Sequence, residues 1–237
     1  MEQIYTIPVN EAFDACLEHP DEGCPICKLY KKLQEDELDI ILGASMMEPD
    51  IRIKTNEQGF CLTHYNMMLL RRRMLGMGLM MESHLPEVRK KLGGKALLGN
   101  KRAAALADLG TLEGDCYVCK RIDKNLSAMI ATAVYLFESD PDFRKKHAAQ
   151  PWFCLPHYRA MMDYASKKMN KRSFGEFYDL TLSIEERYLD SLEKDVSWFC
   201  KKFDYRYDEE PWYNSKDSVK RAIAFLGGCF GEEESKK

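Results

Sequence analysis

The sequence lacks the long apolar run that a membrane-spanning helix needs. Its longest nearly apolar stretch, residues 126–137, is far shorter than the ~20 residues that cross a bilayer. The first residues, MEQIYTIPVNEAFDACLEHPDEG, are acidic, and they lack the basic start and apolar stretch of a secretory signal. We therefore expect a cytoplasmic protein that has no membrane span.

A large excess of charge of one sign is also missing. The chain has 35 Lys and Arg residues against 38 Asp and Glu residues, which gives a formal net charge of -3. This near balance excludes a uniformly basic protein that coats nucleic acid. Basic stretches at residues 71–73, 89–91 and 166–172 would hold phosphates only if the fold brought them together.

Sequence patterns typical of strands are scarce as well, whereas apolar residues recur every three or four positions along most of the chain. The clearest stripe begins after Arg172, and it predicts a long amphipathic helix. With 45% apolar residues among 237, the chain can bury a sizeable core. Together these patterns predict an all-α fold. The stripe consists of Phe177, Leu180, Ile184, Tyr188, Leu192, Val196, Phe199 and Phe203.

Cysteine is abundant by contrast, and six of the nine cysteines belong to a duplicated pattern. FCLTHY begins at Phe60, and FCLPHY begins at Phe153. A Cys-X-X-Cys pair stands upstream of each copy, first in GCPICK and then in DCYVCK. Because cytoplasmic proteins rarely form disulfides, such pairs indicate metal or redox chemistry there.

The duplication divides the chain into predicted segments. In each repeat a helix follows the Cys pair, and Pro49 or Pro141 begins a second helix. A third helix follows each histidine, at residues 65–85 in the first repeat. The segments are an N-terminal stretch (1–22), a first zinc-binding helical repeat (23–92), a connector with one short helix (93–114), a second zinc-binding helical repeat (115–203), a C-terminal clasp (204–230) and a disordered tail (231–237).

Each repeat contains the donors of a Cys3His metal site. Two side chains three residues apart at the start of a helix can face one point, where the partial positive charge of the helix N-terminus favours thiolate. Zn²⁺ suits this donor set best, whereas iron–sulfur clusters usually use four cysteines. We predict two structural zinc ions, with iron less suited. The predicted ligands are Cys24, Cys27, Cys61 and His64 in the first repeat, and Cys116, Cys119, Cys154 and His157 in the second.

The chain length between the ligand pairs allows each site to form within its own repeat. Cys27 and Cys61 are 34 positions apart, and Cys119 and Cys154 are 35 positions apart. A helix of about 15 residues covers ~22 Å, and the remaining residues can return over that distance. The sequence therefore predicts that both ligand pairs of one repeat bind the same ion.

Other uses of these side chains fit the pattern less well. Buried core cysteines would not require two copies in the same order, a thioredoxin-like role needs a βαβ setting, and a catalytic zinc keeps one position open for water. Cys16 and Cys200 have no matching partners and are predicted to be buried apolar side chains, with Cys229 in the tail. His84 and His147 are predicted to be surface or core residues.

The stretch KFDYRYDEEPWYNSKDSVKRAI, residues 202–223, has no counterpart in the first repeat. Pro211 ends the preceding helix, and Asn214 or Ser215 can cap a new one. The predicted inward face of the new helix consists of Val219, Ala222, Ile223 and Leu226. The aromatic residues either cover the core or line a ligand groove, for which Arg206, Trp212 and Lys216 are the candidate binding residues.

The elements CPIC, GFCLTHY, CYVC, WFCLPHY and KFDYRYDEEPWYNSKDSVKRAI resemble a family of uncharacterised proteins from Gram-positive anaerobic bacteria, catalogued as a domain of unknown function. The resemblance covers nearly the whole chain and implies no particular activity. Some relatives carry a transporter-binding-protein label, which implies export, whereas the acidic N-terminal stretch favours the cytoplasm.

The sequence as a whole favours a binding or interaction module over an enzyme. It contains no convergent acid–base or nucleophile–base pair, and the partner is an unknown protein or small ligand. The first alternative is a nucleic-acid-associated regulator that uses the basic stretches. The second alternative is a thiol-redox or metal-dependent enzyme.

Overall fold

The structure, a computed structural model, describes residues 5–43, 47–93 and 100–228. These ranges contain eleven α-helices and no strand, so the predicted all-α fold is confirmed. Cys229, the predicted tail and part of the connector lie outside the described residues. The helices are α1 (Thr6–Glu18), α2 (Pro25–Leu42), α3 (Pro49–Gln58), α4 (Leu62–Leu70), α5 (Met74–Leu92), α6 (Lys101–Glu113), α7 (Tyr117–Ser139), α8 (Pro141–Ala148), α9 (Leu155–Lys168), α10 (Lys171–Lys201) and α11 (Ser218–Gly227).

Several helices begin where local chemistry predicts. Pro49 and Pro141 are the first residues of α3 and α8, as expected from a ring that fixes a helical φ and needs no amide partner. Asn170 accepts hydrogen bonds from two backbone amides at the start of α10, which is the predicted long helix. No described helix is long and apolar enough to cross a membrane.

The chain divides into two compact units that are not the two sequence repeats. One unit comprises Met1–Lys31 and Leu126–Lys237, and the other comprises Lys32–Asn125. We call them the terminal unit and the central unit. The divisions fall inside α2 and α7, so each unit takes residues from both repeats. The repeat boundaries themselves remain a prediction from the sequence.

The terminal unit has an aromatic core that surrounds a buried histidine. His147 Nε2 lies 2.9 Å from Thr181 Oγ1, and the Thr181 hydroxyl donates to the Phe177 carbonyl, so the imidazole N–H donates to Thr181. Burial lowers the pKa of His147 to about 3. His147 is therefore a neutral core residue at physiological pH. Its ring contacts the rings of Phe13, Phe137, Phe153 and Phe177.

The depressed pKa of His147 predicts acid sensitivity. Below pH 6.5 this histidine becomes protonated in the unfolded chain, whereas in the folded core it stays neutral. The contribution of His147 to the unfolding free energy is therefore lost as the pH falls. When the pH falls from 7 to 5, we expect the unfolding free energy to decrease in both proteins. In His147→Phe the decrease should be about 2 kcal/mol smaller than in the wild type. Urea denaturation of the metal-loaded proteins at both pH values measures this, and parallel losses would refute it.

In the central unit, α3 and α6 pack against α5, and α4 meets the start of α5. The sequence predicted one helix over residues 65–85, and that prediction is wrong because the chain breaks between α4 and α5. Arg72 takes a left-handed φ of 56°, and Arg71 and Arg73 both reach Asp39, at 2.6 and 3.6 Å. Charge pairing with a neighbouring helix therefore accompanies a turn that apolar periodicity does not reveal.

The C-terminal helix α11 packs against α9 and α10, but through a different face from the predicted one. Val219, Ile223 and Leu226 are exposed, whereas Ser218 and Phe225 are buried. The Phe225 ring contacts Trp152 and Tyr188, and this aromatic packing sets the rotation of the helix. Asp217 precedes the first turn without a side-chain cap, so neither predicted capping residue is used.

Candidate metal centres

Four helices begin with the same arrangement of donor side chains. In α2, α4, α7 and α9 a cysteine directly precedes the first helical residue, and the third helical residue is a Cys or His. Both side chains then project beside the helix N-terminus, where the helix dipole favours thiolate. Each helix start is thus a bidentate half-site.

Two of these half-sites form centre A in the terminal unit, from Cys24 and Cys27 on α2 and Cys154 and His157 on α9. Cys27 Sγ lies 3.5 Å from Cys154 Sγ and 3.3 Å from His157 Nδ1. Cys154 Sγ lies 3.1 Å from the same nitrogen. All four side chains are buried, and their ligand atoms lie within 4.8 Å of one another.

The other two half-sites form centre B in the central unit, from Cys61 and His64 on α4 and Cys116 and Cys119 on α7. His64 Nδ1 lies 3.2 Å from Cys61 Sγ and 3.4 Å from each of the α7 sulfurs. Cys61 and Cys119 are half-buried, whereas His64 and Cys116 are buried. The donor set is the same as in centre A.

The spacing in both centres fits a tetrahedral ion. Zinc–ligand bonds of about 2.3 Å to sulfur and about 2.0 Å to nitrogen imply edges of ~3.8 Å between sulfurs and ~3.5 Å between sulfur and nitrogen. The sulfurs of Cys27 and Cys154 in centre A are 3.5 Å apart, and those of Cys61 and Cys119 in centre B are 3.9 Å apart. Four N and S donors at this separation match Zn²⁺ better than hard cations, which prefer oxygen.

The structure contradicts the prediction that each site forms within one repeat. Centre A combines the Cys pair of the first repeat with the Cys-X-X-His pair of the second, and centre B combines the other two pairs. His64 does contact α2, but at Gln34 and not at Cys27, its predicted partner. The Nε2 atoms of His64 and Gln34 are 3.2 Å apart. Gln34 is seven residues beyond Cys27, or ~10 Å along the helix axis.

Gly59 brings the two halves of centre B together. It has a φ of 63°, which disfavours other residues, and its carbonyl accepts a 3.0 Å hydrogen bond from the Tyr117 amide at the start of α7. A Cβ at this position would also lie 3.2 Å from Leu112. Gly59 and Gln34 are positioning residues that the motif pattern did not single out, although the glycine adjoins the motif in GFCLTHY.

The electrostatics of the centres disfavour a metal-free role. Burial raises the pKa of the Cys24, Cys116 and Cys119 thiols, so without a cation they stay protonated at neutral pH and are poor nucleophiles. Burial also lowers the pKa of His64, which keeps its imidazole neutral and able to bind a cation. When Nδ1 binds metal, Nε2 carries the hydrogen, and a flip of the Gln34 side-chain amide would exchange its nitrogen for the oxygen that accepts it.

The different exposure of the centres predicts different rates of metal release. Chelators and competing ligands reach a half-buried sulfur more readily than a buried one, so centre B should lose its ion first. Chelator competition monitored by absorbance should give two phases, and Cys119→Ser should remove the fast one while Cys27→Ser removes the slow one. A single phase shared by both ions would contradict this expectation.

The other candidate residues lie outside the centres. Arg206 is exposed and pairs with Asp204, Lys216 is exposed, and Trp212 is half-buried beside Lys202. A role of these three residues in ligand binding remains a prediction from the sequence. In the basic stretches, Arg71 pairs with Asp39 and Arg172 pairs with Glu176.

Cys16, Cys200 and His84 lie outside the two clusters. Cys16 is buried as predicted, but Cys200 is exposed, so its predicted burial is wrong. His84 is buried, and its Nδ1 lies 3.1 Å from the Asn56 carbonyl. Among the described residues only the two Cys3His clusters group three or more side chains as potential ligands.

Comparison with known proteins identifies a family but suggests no activity. A family model described as a family of unknown function, DUF6062, matches residues 1–233. No curated protein and no solved structure matches the chain.

Proposed function

Because the chain belongs to the family of unknown function DUF6062, we propose a function from its own residues: a cytoplasmic binding module that two structural zinc ions hold together. The observation that carries this proposal is the closed donor set of each centre. Three sulfurs and one imidazole nitrogen lie within 4.8 Å of one another in both clusters. Four protein ligands complete tetrahedral zinc and leave no position for water or substrate.

The proposed zinc ions act by joining helix starts that are far apart in the sequence. In centre A, Cys27 and Cys154 are separated by 127 positions. Zinc binding to such sites is coupled to folding, since the unfolded chain has no preformed site. Each ion would therefore contribute stability to the unit that contains its centre.

The properties of the two centres disfavour catalysis, which supports a binding role. Closed coordination disfavours metal-assisted hydrolysis, and raised thiol pKa values disfavour nucleophilic or redox cysteines. The nucleic-acid alternative relies on basic stretches in which Arg71 and Arg172 already pair with carboxylates. We therefore favour a protein or small-molecule partner.

The test is purification of the native protein under mild conditions, followed by elemental analysis and identification of co-eluting molecules. The proposal expects two zinc ions per chain and no turnover of the co-eluting partner. Iron in place of zinc, or a metal-free folded protein, would overturn the zinc proposal. Nucleic acid that co-elutes at low salt and dissociates at high salt would overturn the choice of partner.

A further inference from the structure

Helix α5 has a second apolar face besides the one that it buries in the central unit. The buried face contains Gly76, Met77, Met80 and His84. About 100° further around the helix, a set of apolar side chains and one glycine forms a stripe along the whole length of α5. This α5 stripe consists of Met74, Gly78, Met81, Leu85, Val88 and Leu92.

Much of the α5 stripe is open to solvent. Met74, Leu85 and Leu92 are 60%, 62% and 58% exposed. A Cβ at Gly78 would meet no side chain and no neighbouring element within 4 Å. The helix has 19 residues and is ~28 Å long. Monomers rarely expose a large contiguous apolar patch, so the stripe indicates an interaction site.

The spacing of the α5 stripe indicates that another helix covers it. Its members are alternately four and three positions apart, as are the d and a positions of a heptad. Side chains at these positions insert between those of a second helix that runs along the first. Pro86, the proline inside α5, is exposed and lies about 100° around the helix from Leu85, so it does not interrupt the stripe.

Two charged side chains beside the stripe identify the second helix. Glu82 and Arg89 are exposed and follow the half-buried stripe residues Met81 and Val88. Neither makes an ion pair within the described part of the chain. They occupy the heptad position after d, where charged residues pair between helices. Because they are seven residues apart, a two-fold axis midway between them places Glu82 of each copy opposite Arg89 of the other.

A second copy of α5 therefore matches both the apolar residues and the charges. Around the same axis, Leu85 of one copy lies opposite Val88 of the other, and Met81 lies opposite Leu92. An unrelated helix would have to supply the apolar stripe and both opposite charges independently. Two-fold dimers, in which the same patch serves both copies, are also the commonest homo-oligomers.

We propose that α5 joins two copies of this chain through an antiparallel pair of helices. The two α5 stripes contact each other, and Glu82 of each copy pairs with Arg89 of the other. This inference goes beyond the proposed function, because it depends on the exposed side of α5 and on no ligand of either metal centre. It names a second copy of the chain as a partner of the module.

The test is sedimentation equilibrium of the full chain as purified. We expect the average mass to rise from that of one chain toward twice that value between about 1 and 100 µM, since an interface formed by one helix from each copy is small. Zinc content is measured on the same samples, so a failure of the zinc proposal is recorded separately from a failure to dimerise.

A variant of the stripe locates the interface. Leu85→Glu should raise the Kd of the dimer at least about tenfold, because each copy would bring a carboxylate into an apolar contact. Leu226→Glu is the matched control, since Leu226 on α11 is 61% exposed and lies in the terminal unit. It should leave the Kd within about twofold.

Exchange of the two charges tests the antiparallel arrangement. Glu82→Arg alone should raise the Kd at least about threefold, because it places two arginines opposite each other on both sides of the axis. Arg89→Glu alone should have a similar effect. The double variant, Glu82→Arg with Arg89→Glu, restores both pairs and should return the Kd to within about twofold of the wild type.

Three results would overturn the inference. A segment of the same chain or a different protein on the stripe would leave the chain monomeric at about 100 µM. Equal effects of Leu85→Glu and Leu226→Glu would place the dimer interface elsewhere. A double charge variant that binds no more tightly than either single variant would contradict the pairing of Glu82 with Arg89.

Discussion

Replacing Cys24 and Cys27 together with serine should remove one zinc ion from each chain and unfold the terminal unit. Structural zinc supplies ~10 to 16 kcal/mol of apparent binding free energy in small domains, as much as or more than the ~5 to 15 kcal/mol that keeps a typical domain folded. In the terminal unit the ion would link the start of α2 to the start of α9. Circular dichroism should report a loss of helix, and elemental analysis should report one remaining ion.

The exposed Cys200 provides the control for this experiment. Cys200→Ser removes a thiol that belongs to neither centre, so the protein should keep both ions and its wild-type melting temperature. The equivalent change in centre B, Cys116 and Cys119 to serine, should destabilise the central unit in the same way. Variants that lose an ion but melt at the wild-type temperature would show that the centres are not structural.

Replacing Lys202 with methionine should destabilise the protein by ~3 to 5 kcal/mol. Lys202 is 7% exposed, and its Nζ donates to three backbone carbonyls, those of Tyr207 at 2.6 Å, Asp208 at 2.9 Å and Glu210 at 2.6 Å. Hydrogen bonds from a charged group contribute about 1.5 to 3 kcal/mol each, and methionine would leave these carbonyls without the donor. The expected loss is below the sum for three bonds because the bonds are only part-buried, so water can reach the freed carbonyls. Urea denaturation of the zinc-loaded variant measures the loss.

Lys201→Met is the matched control, because Lys201 is the adjacent residue and is exposed. Its unfolding free energy should stay within about 0.5 kcal/mol of the wild type, as for most surface substitutions. Limited proteolysis should cut the segment after α10 faster in the Lys202 variant alone. Equal denaturation midpoints for the two variants would show that Lys202 does not hold this segment.

The helices and the donor types of the centres could be predicted because they depend on local sequence. The proline at the start of α3 or α8 acts through its own ring, and the spacing of Cys24 and Cys27 places both thiols at one helix start. The long apolar stripe of α10 was equally readable, since a period of 3.6 persists from Phe177 to Leu192. Neighbouring residues in the chain decide all of these features.

The pairing of the ligands could not be predicted because it depends on tertiary packing. The two Cys-X-X-His pairs are chemically identical, and the chain is long enough for the Cys27 pair to reach either of them. Contacts such as that of His64 with Gln34 select the partner. The face of α11 was missed for a similar reason, since Val219 and Phe225 belong to competing apolar stripes, and the packing of Phe225 against Trp152 and Tyr188 decides between them.

The zinc content of two double variants tests the exchanged pairing most directly. Cys27→Ser with Cys154→Ser changes two ligands of centre A, and Cys27→Ser with Cys61→Ser changes one ligand of each centre. For gel-filtered protein, we predict one tightly bound zinc ion per chain in the first variant and none in the second. The reverse result, no zinc in the first variant and one ion in the second, would contradict the account and restore pairing within each repeat.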